Sequence, residues 1–237
     1  LHAGHGRGAC YGDSVARILE RSGYLVAREF YVNDRGTQMN LFASSLAACT
    51  AGENIPEDGY HGAYIKEWAA EIPGDQDPLE WGKKRALSDQ REVLRDLNIE
   101  FDSWFSETSL VDSGLIEKTL SMLAKANASY EKDGAMWLKS TEYGDDKDRV
   151  LVKSDGEYTY LLPDITYHLD KLTRAERLIN VWGADHHGYI TRMKAAIESL
   201  GHEPERLEVE VTQMVNLQRS GEEVKLSKRT GDIVELS

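Results

Sequence analysis

From Leu178 to Val211 the chain reads as strand, turn, helix and strand in immediate succession. Leu178–Trp182 is an apolar strand, and Gly183-Ala184-Asp185-His186-His187-Gly188 is a tight turn. The next stretch carries Ile190, Met193, Ile197 and Leu200 on one helical face and stops at Gly201. Leu207, Val209 and Val211 then alternate with Glu208, Glu210 and Thr212, the period-two signature of a strand. Alternating strands and helices suggest a parallel sheet. The fold class predicted is therefore α/β, a parallel sheet with covering helices.

The same rhythm opens the chain. A helix is predicted from about Arg7 to Ser22, with Val15, Ile18 and Leu19 on its packing face and Gly23 as its stop. A strand follows at Leu25–Val32, a turn at Asn33-Asp34-Arg35-Gly36, and a helix at Thr37–Cys49 with Met39, Leu41, Phe42 and Leu46 as packing residues. The middle of the chain breaks this rhythm. Tyr64–Ile72 and Leu79–Leu97 read as charged helices, Ile99–Phe105 as a strand and Ser113–Ala126 as a helix, followed by short β runs at Ala135–Leu138 and Val150–Lys153. Tyr158–Leu162 reads as a strand, Pro163 as the start of a helix to about Arg174, and Arg219–Asp232 as a polar loop. Three blocks result: 1–51 and 158–237 as two parts of a sheet domain, and 52–157 as a mixed α+β insertion.

Twenty-eight basic and 41 acidic residues leave a net charge of −13, which argues against a free-standing module gripping nucleic acid through a basic face. No run of about 18 apolar residues spans a membrane, and no secretory leader pattern opens the sequence. Cys10 and Cys49 make neither a disulfide framework nor a zinc cage, so a cytoplasmic, reducing compartment fits.

Four constellations carry chemistry. His2-Ala3-Gly4-His5 puts two imidazoles around a glycine ahead of a helix, where free N–H groups and the dipole favour an anion. Lys225-Leu226-Ser227-Lys228 places two ammonium groups on a loop, as a polyphosphate requires, although a solvated basic turn has the same composition. Gly183, Asp185 and His186 lie beyond a strand's carboxyl end, where doubly wound sheets bind nucleotides. Asp185 is suited to ribose hydroxyls. A metal site is not expected, because adjacent His186 and His187 diverge and no third ligand is evident. Tyr160 and Asp164 precede or open a helix. A carboxylate beside an aromatic ring there suits a guanidinium, and equally the helix dipole alone.

Taken in order, these segments resemble the class I aminoacyl-tRNA synthetases. Leu1-His2-Ala3-Gly4-His5 is similar to their HIGH signature, and Lys225-Leu226-Ser227-Lys228-Arg229 to their KMSKS loop, with leucine for methionine and arginine for serine. Tyr31–Gln38, Phe101–Glu107, Asp133–Leu138, Tyr160–Ile165, Trp182–Tyr189 and Gln213–Asn216 resemble the arginyl-tRNA synthetases, over essentially the whole chain.

The resemblance implies a Rossmann-like nucleotide-binding core that uses ATP with Mg²⁺ to activate L-arginine, then transfers it to the 3′ end of tRNA(Arg). It implies His2, His5, Lys225 and Lys228 as catalytic residues. Gly4, Gly183, Asp185, His186, Met214, Val215 and Ser227 would bind ATP, with Met214 and Val215 offering backbone groups to adenine. Tyr160 and Asp164 would bind arginine. A glutamine near Gly183–Ala184 that serves arginine in some relatives is missing. A monomeric, truncated catalytic core is expected, without the flanking tRNA-binding domains. The alternatives are another nucleotidylyl transferase of this scaffold that forms an acyl-adenylate, and a non-catalytic synthetase-like binding domain.

Overall fold

A computed structural model describes residues 1–186, 188–213, 215, 217–219, 222–224 and 236. The chain divides into two compact units, Leu1–Phe105 with Met214–Ser237, and Ser106–Gln213.

In the first unit, α1 (Ala3–Arg21) leads through an extended segment to β1 (Glu29–Val32), and three helices follow: α2 (Thr37–Ala51), α3 (Ala63–Glu71) and α4 (Pro78–Asp96). β2 (Ser103–Ser106) pairs with β1. Farther along, β8 (Leu217–Arg219) and β9 (Glu222–Val224) form an antiparallel pair. The core of this unit is Phe42 and Leu46 of α2 against Ile65, Trp68 and Ala69 of α3, ringed by Met39, Tyr64 and Trp81. Gly82 lets α4 approach α2, since a Cβ there would lie 2.5 Å from Leu46 Cδ1. Asp77 caps α4 by accepting the Glu80 N–H at 2.9 Å, and Pro78 occupies a first-turn position that needs no donor.

Three expectations are corrected here. α1 begins at Ala3, not near Arg7. Its buried residues are Gly6 and Ala16, while Ile18, expected on the packing face, is 65% exposed. The strand predicted from Leu25 starts only at Glu29, because Leu25 stands fully in solvent and gains nothing from extended pairing.

The second unit holds α5 (Thr108–Asp112) and α6 (Leu115–Lys125), then an antiparallel sheet of β3 (Ser129–Lys132), β4 (Ala135–Leu138) and β5 (Arg149–Val152). α7 (Leu161–Arg174), β6 (Leu178–Gly183), α8 (Tyr189–Ser199) and β7 (Leu207–Thr212) complete it. β6 and β7 run parallel, in register from Leu178 opposite Leu207 to Gly183 opposite Thr212. The α/β expectation holds in this crossover. Leu162 and Ile165 of α7 and Met193 and Ile197 of α8 are fully buried. Each such side chain contributes about 1.5–3 kcal/mol by leaving water.

The predicted strand at Tyr158–Leu162 is a correction: Tyr158 makes one isolated bridge to Val152, and Leu161 and Leu162 already belong to α7. Pro163 sits in the first turn, where a missing N–H costs nothing. Part of the predicted polar loop at Arg219–Asp232 is strand, in β8 and β9. Among the described residues, no helix is long and apolar enough to cross a membrane.

Candidate active site

In the first unit His2, Gly4 and His5 come together at the start of α1. His2 is the N-cap, and its Nδ1 accepts the Gly4 N–H at 3.2 Å. His5 returns the bond, its Nδ1 accepting the His2 N–H at 3.2 Å. The two rings stack with centroids 3.7 Å apart. This is a capping box in which imidazole nitrogens replace the usual oxygen acceptors. A neutral ring that accepts at Nδ1 carries its proton at Nε2. Gly4 is required by the cap itself, because a Cβ would lie 3.0 Å from His2 Cε1. Of the N–H groups at this helix start, that of Gly4 is taken by His2 and that of His5 by the His2 carbonyl at 2.8 Å.

The second unit places Tyr160, Asp164, Gly183, Asp185 and His186. Gly183 ends β6, and Asp185 and His186 lie in the 3-10 turn Ala184–His186 directly after it. Asp164, in the first turn of α7, accepts a 2.7 Å hydrogen bond on Oδ2 from the Tyr189 hydroxyl of α8. Burial pushes the Asp164 carboxyl above its usual range, while the Tyr189 hydrogen bond and the charges of Lys171 and His186 oppose that rise. The His186 ring is 6.5 Å from the Tyr189 ring and 6.0 Å from Trp182. Tyr160, expected with Asp164 to bind arginine, is 82% exposed at the α7 N-cap position. Its backbone carbonyl accepts the Asp164 N–H at 3.3 Å.

Several residues that the sequence reading left without a role form a chain that ends on the Asp164 backbone carbonyl. His168, 3% exposed, contacts the Asp164 carbonyl through Nδ1 at 2.7 Å. Its Nε2 meets Asn180 Nδ2 at 2.7 Å, and Asn180 Oδ1 accepts from Lys171 Nζ at 2.9 Å. A carbonyl only accepts, so the His168 proton sits on Nδ1 and Asn180 donates to Nε2. This chain ties α7 to β6. The apolar repeat of α7 could have drawn attention to a histidine on its buried face. Val215 is described and part-buried. Met214, Lys225, Ser227 and Lys228, predicted for the nucleotide and the pyrophosphate, lie outside the described residues. Among the described residues, no group of histidine, cysteine or acidic side chains has the arrangement of a metal site.

Comparison with known proteins follows this geometry. The family model for the catalytic domain of class I tRNA synthetases (R) matches residues 1–58 and 75–237. Arginine–tRNA ligase 1 of Halalkalibacterium halodurans is 52% identical over all of this chain and 46% of its own length. The arginine–tRNA ligase of Bacillus subtilis is 49% identical over 99% of this chain and 46% of its own length. The chain thus spans about half the length of the curated relatives it matches. The solved arginyl-tRNA synthetase structure from Campylobacter jejuni superposes with a TM-score of 0.88 at 39% identity, covering 100% of this chain and 56% of its own. The Thermus thermophilus structure, at 20% identity and a TM-score of 0.71, covers 90% of this chain and 46% of its own and shares the fold. The Rossmann-like core expected from the sequence is the fold of these neighbours. The chain belongs to the class I tRNA synthetase (R) catalytic-domain family.

Proposed function

We propose that the protein is an arginine–tRNA ligase and that this chain is its catalytic core. The observation that carries the reading is the 52% identity to an arginine–tRNA ligase across the whole chain. In the first step a carboxylate oxygen of L-arginine attacks the α-phosphorus of ATP. The bond to the β-phosphate oxygen breaks, and pyrophosphate leaves with its electron pair. In the second, a ribose hydroxyl at the 3′ end of tRNA(Arg) attacks the arginyl carbonyl, and AMP leaves. Mg²⁺ enters with ATP as part of the substrate.

His2 and His5 serve the first step as donors to the α-phosphate. Lys225, Lys228 and Ser227 take the departing pyrophosphate. Gly4, Gly183, Asp185 and His186 bind the nucleotide, and Met214 and Val215 meet adenine. Asp164 takes the guanidinium, and Tyr160, an exposed ring one turn earlier on α7, covers it. The three-block division of the sequence, a cytoplasmic location and a monomeric state complete the proposal.

The test is L-arginine-dependent exchange between ATP and pyrophosphate. Asp164→Asn keeps the shape and removes the charge, and leaving a buried ion without its partner costs about 2–5 kcal/mol. Arginine activation should fall well over tenfold while ATP binding persists. Asp170→Asn is the control. Asp170 lies on the same helix, part-buried and paired with Arg174 at 2.8 Å. Equal behaviour of the two variants, or exchange that ignores arginine, refutes the assignment.

A further inference from the structure

Tyr189 and Arg192 stand beside Asp164 with no part in the reading above. Tyr189 is the first residue of α8, and its ring packs edge-on to Trp182 at 5.8 Å. The Arg192 guanidinium lies over the same ring, 4.9 Å from its centroid. Arg192 Nε is buried without a hydrogen-bond partner, and the guanidinium contributes its stacking on the ring. Tyr189 is thus clamped from two sides, with its hydroxyl on Asp164 Oδ2 at 2.7 Å.

We infer that Tyr189 is the positioning residue of the guanidinium subsite, its hydroxyl holding Asp164 Oδ2 so that the carboxylate presents its other lone pairs as a fixed, ionised fork. The inference rests on the reading of Asp164 as the guanidinium acceptor.

The chemistry supports it in two ways. Each carboxylate oxygen has two acceptor sites, so one bond from Tyr189 leaves three for a planar guanidinium that donates in pairs. A carboxyl out of water also tends to take up a proton, and a neutral acid cannot receive that fork. Among the described residues, the groups that act on the Asp164 charge are Lys171 on its own helix, His186 in the turn after β6, and Tyr189 on α8, whose ring carries Arg192. Lys171 donates to Asn180 Oδ1 at 2.9 Å and lies over the face of Tyr167, while the Tyr189 hydroxyl donates to the carboxylate itself at 2.7 Å.

Tyr189→Phe is the discriminating variant, because it keeps the ring, its packing on Trp182 and its stacking under Arg192. Two readouts are taken in parent and variant: arginine-dependent ATP–pyrophosphate exchange of the full-length protein from pH 5.5 to 8.5, and the pH titration of the Asp164 carboxyl carbon by ¹³C NMR. The variant should raise the KM for arginine about tenfold at pH 6, the scale of one hydrogen bond to a charged group. The rise should shrink toward pH 8.5, and the acid limb of kcat/KM for arginine should move to higher pH. The KM for ATP should hold, and the Asp164 carbon should titrate at higher pH. An unmoved acid limb and carbon titration overturn the inference, as does a parallel loss for arginine and ATP. A parent that exchanges without arginine brings down the functional reading instead. The carbon titration then still decides whether Tyr189 holds Asp164 ionised.

Discussion

His168 is the group whose titration should be most visible in stability. Its ring is buried in the chain from Lys171 through Asn180 to the Asp164 carbonyl, and each link has one polarity. A second ring proton at Nε2 would face the Asn180 amide N–H. Turning that amide over would set its NH₂ against Lys171. The ring therefore has no arrangement in which it is both charged and satisfied. Burial, with the Lys171 charge behind it and the bond to the Asp164 carbonyl opposing, pushes His168 from 6.5 down to about 3. The unfolded chain binds this proton below about pH 6.5 and the folded one does not, so the stability it supplies is present above 6.5 and is lost as pH falls toward 3. Between pH 7 and pH 5 linkage gives a loss of about 2 kcal/mol. The perturbation is His168→Gln, whose amide can donate to the carbonyl and accept from Asn180 without titrating. Urea unfolding of parent and variant at both pH values cancels the other acidic groups. The parent should lose about 2 kcal/mol more than the variant between the two pH values. Equal losses would refute the buried, single-proton assignment.

Gly82→Ala inserts a methyl 2.5 Å from Leu46 Cδ1 and 2.8 Å from Phe42 Cε1. Overpacking there should cost about 1–3 kcal/mol in urea unfolding, and an unchanged midpoint would mean that α2 and α4 yield freely. His5→Ala removes both the acceptor for the His2 N–H and one Nε2–H donor. The activation rate should fall roughly 10²–10³-fold with ATP affinity much less changed, and rapid-quench kinetics showing a pure affinity loss would contradict the role.

What was legible in the sequence is what short-range pattern encodes. The alternation at Leu207, Val209 and Val211 is β7, Ala135–Leu138 is β4 to the residue, and Leu79–Leu97 lies within one residue of α4. Where pattern is ambiguous the reading failed. Tyr158–Leu162 has the length of a strand, yet Leu161 and Leu162 are buried by a helix that the burial of Ile165, Leu169 and Leu172 decides. α1 starts early because two imidazoles cap it, a role that composition assigns to Ser, Thr, Asp or Asn. α5, five residues long, has too little periodicity to register. Tyr189 meets Asp164 across 25 residues and Asn180 meets His168 across 12, and no spacing rule connects such pairs. The identities of Asp164 and His186 were readable, but their partners were not.

The topology explains why those partners meet. α7 ends where β6 begins, so the first turn of α7 is turned toward the far end of β6, at Gly183. α8 starts just past the same end, and the bond from Tyr189 to Asp164 joins the two helix starts there. A carboxylate in the first turn of a helix is favoured in its charged form by the dipole, which adds to the Tyr189 hydroxyl against the cost of burial. Lys171, two turns on, donates to Asn180 and tempers the field at Asp164 through its charge. A site built this way selects by geometry more than by charge. A lysine ammonium brings the same charge but cannot match a fixed, coplanar pair of acceptors, whereas a guanidinium can. Freeing the carboxylate should then harm arginine more than lysine, and the preference for arginine over lysine in pyrophosphate exchange should narrow in Tyr189→Phe. A preference that stays constant while both amino acids weaken together would assign the hydroxyl to the charge state of Asp164 alone and not to its orientation.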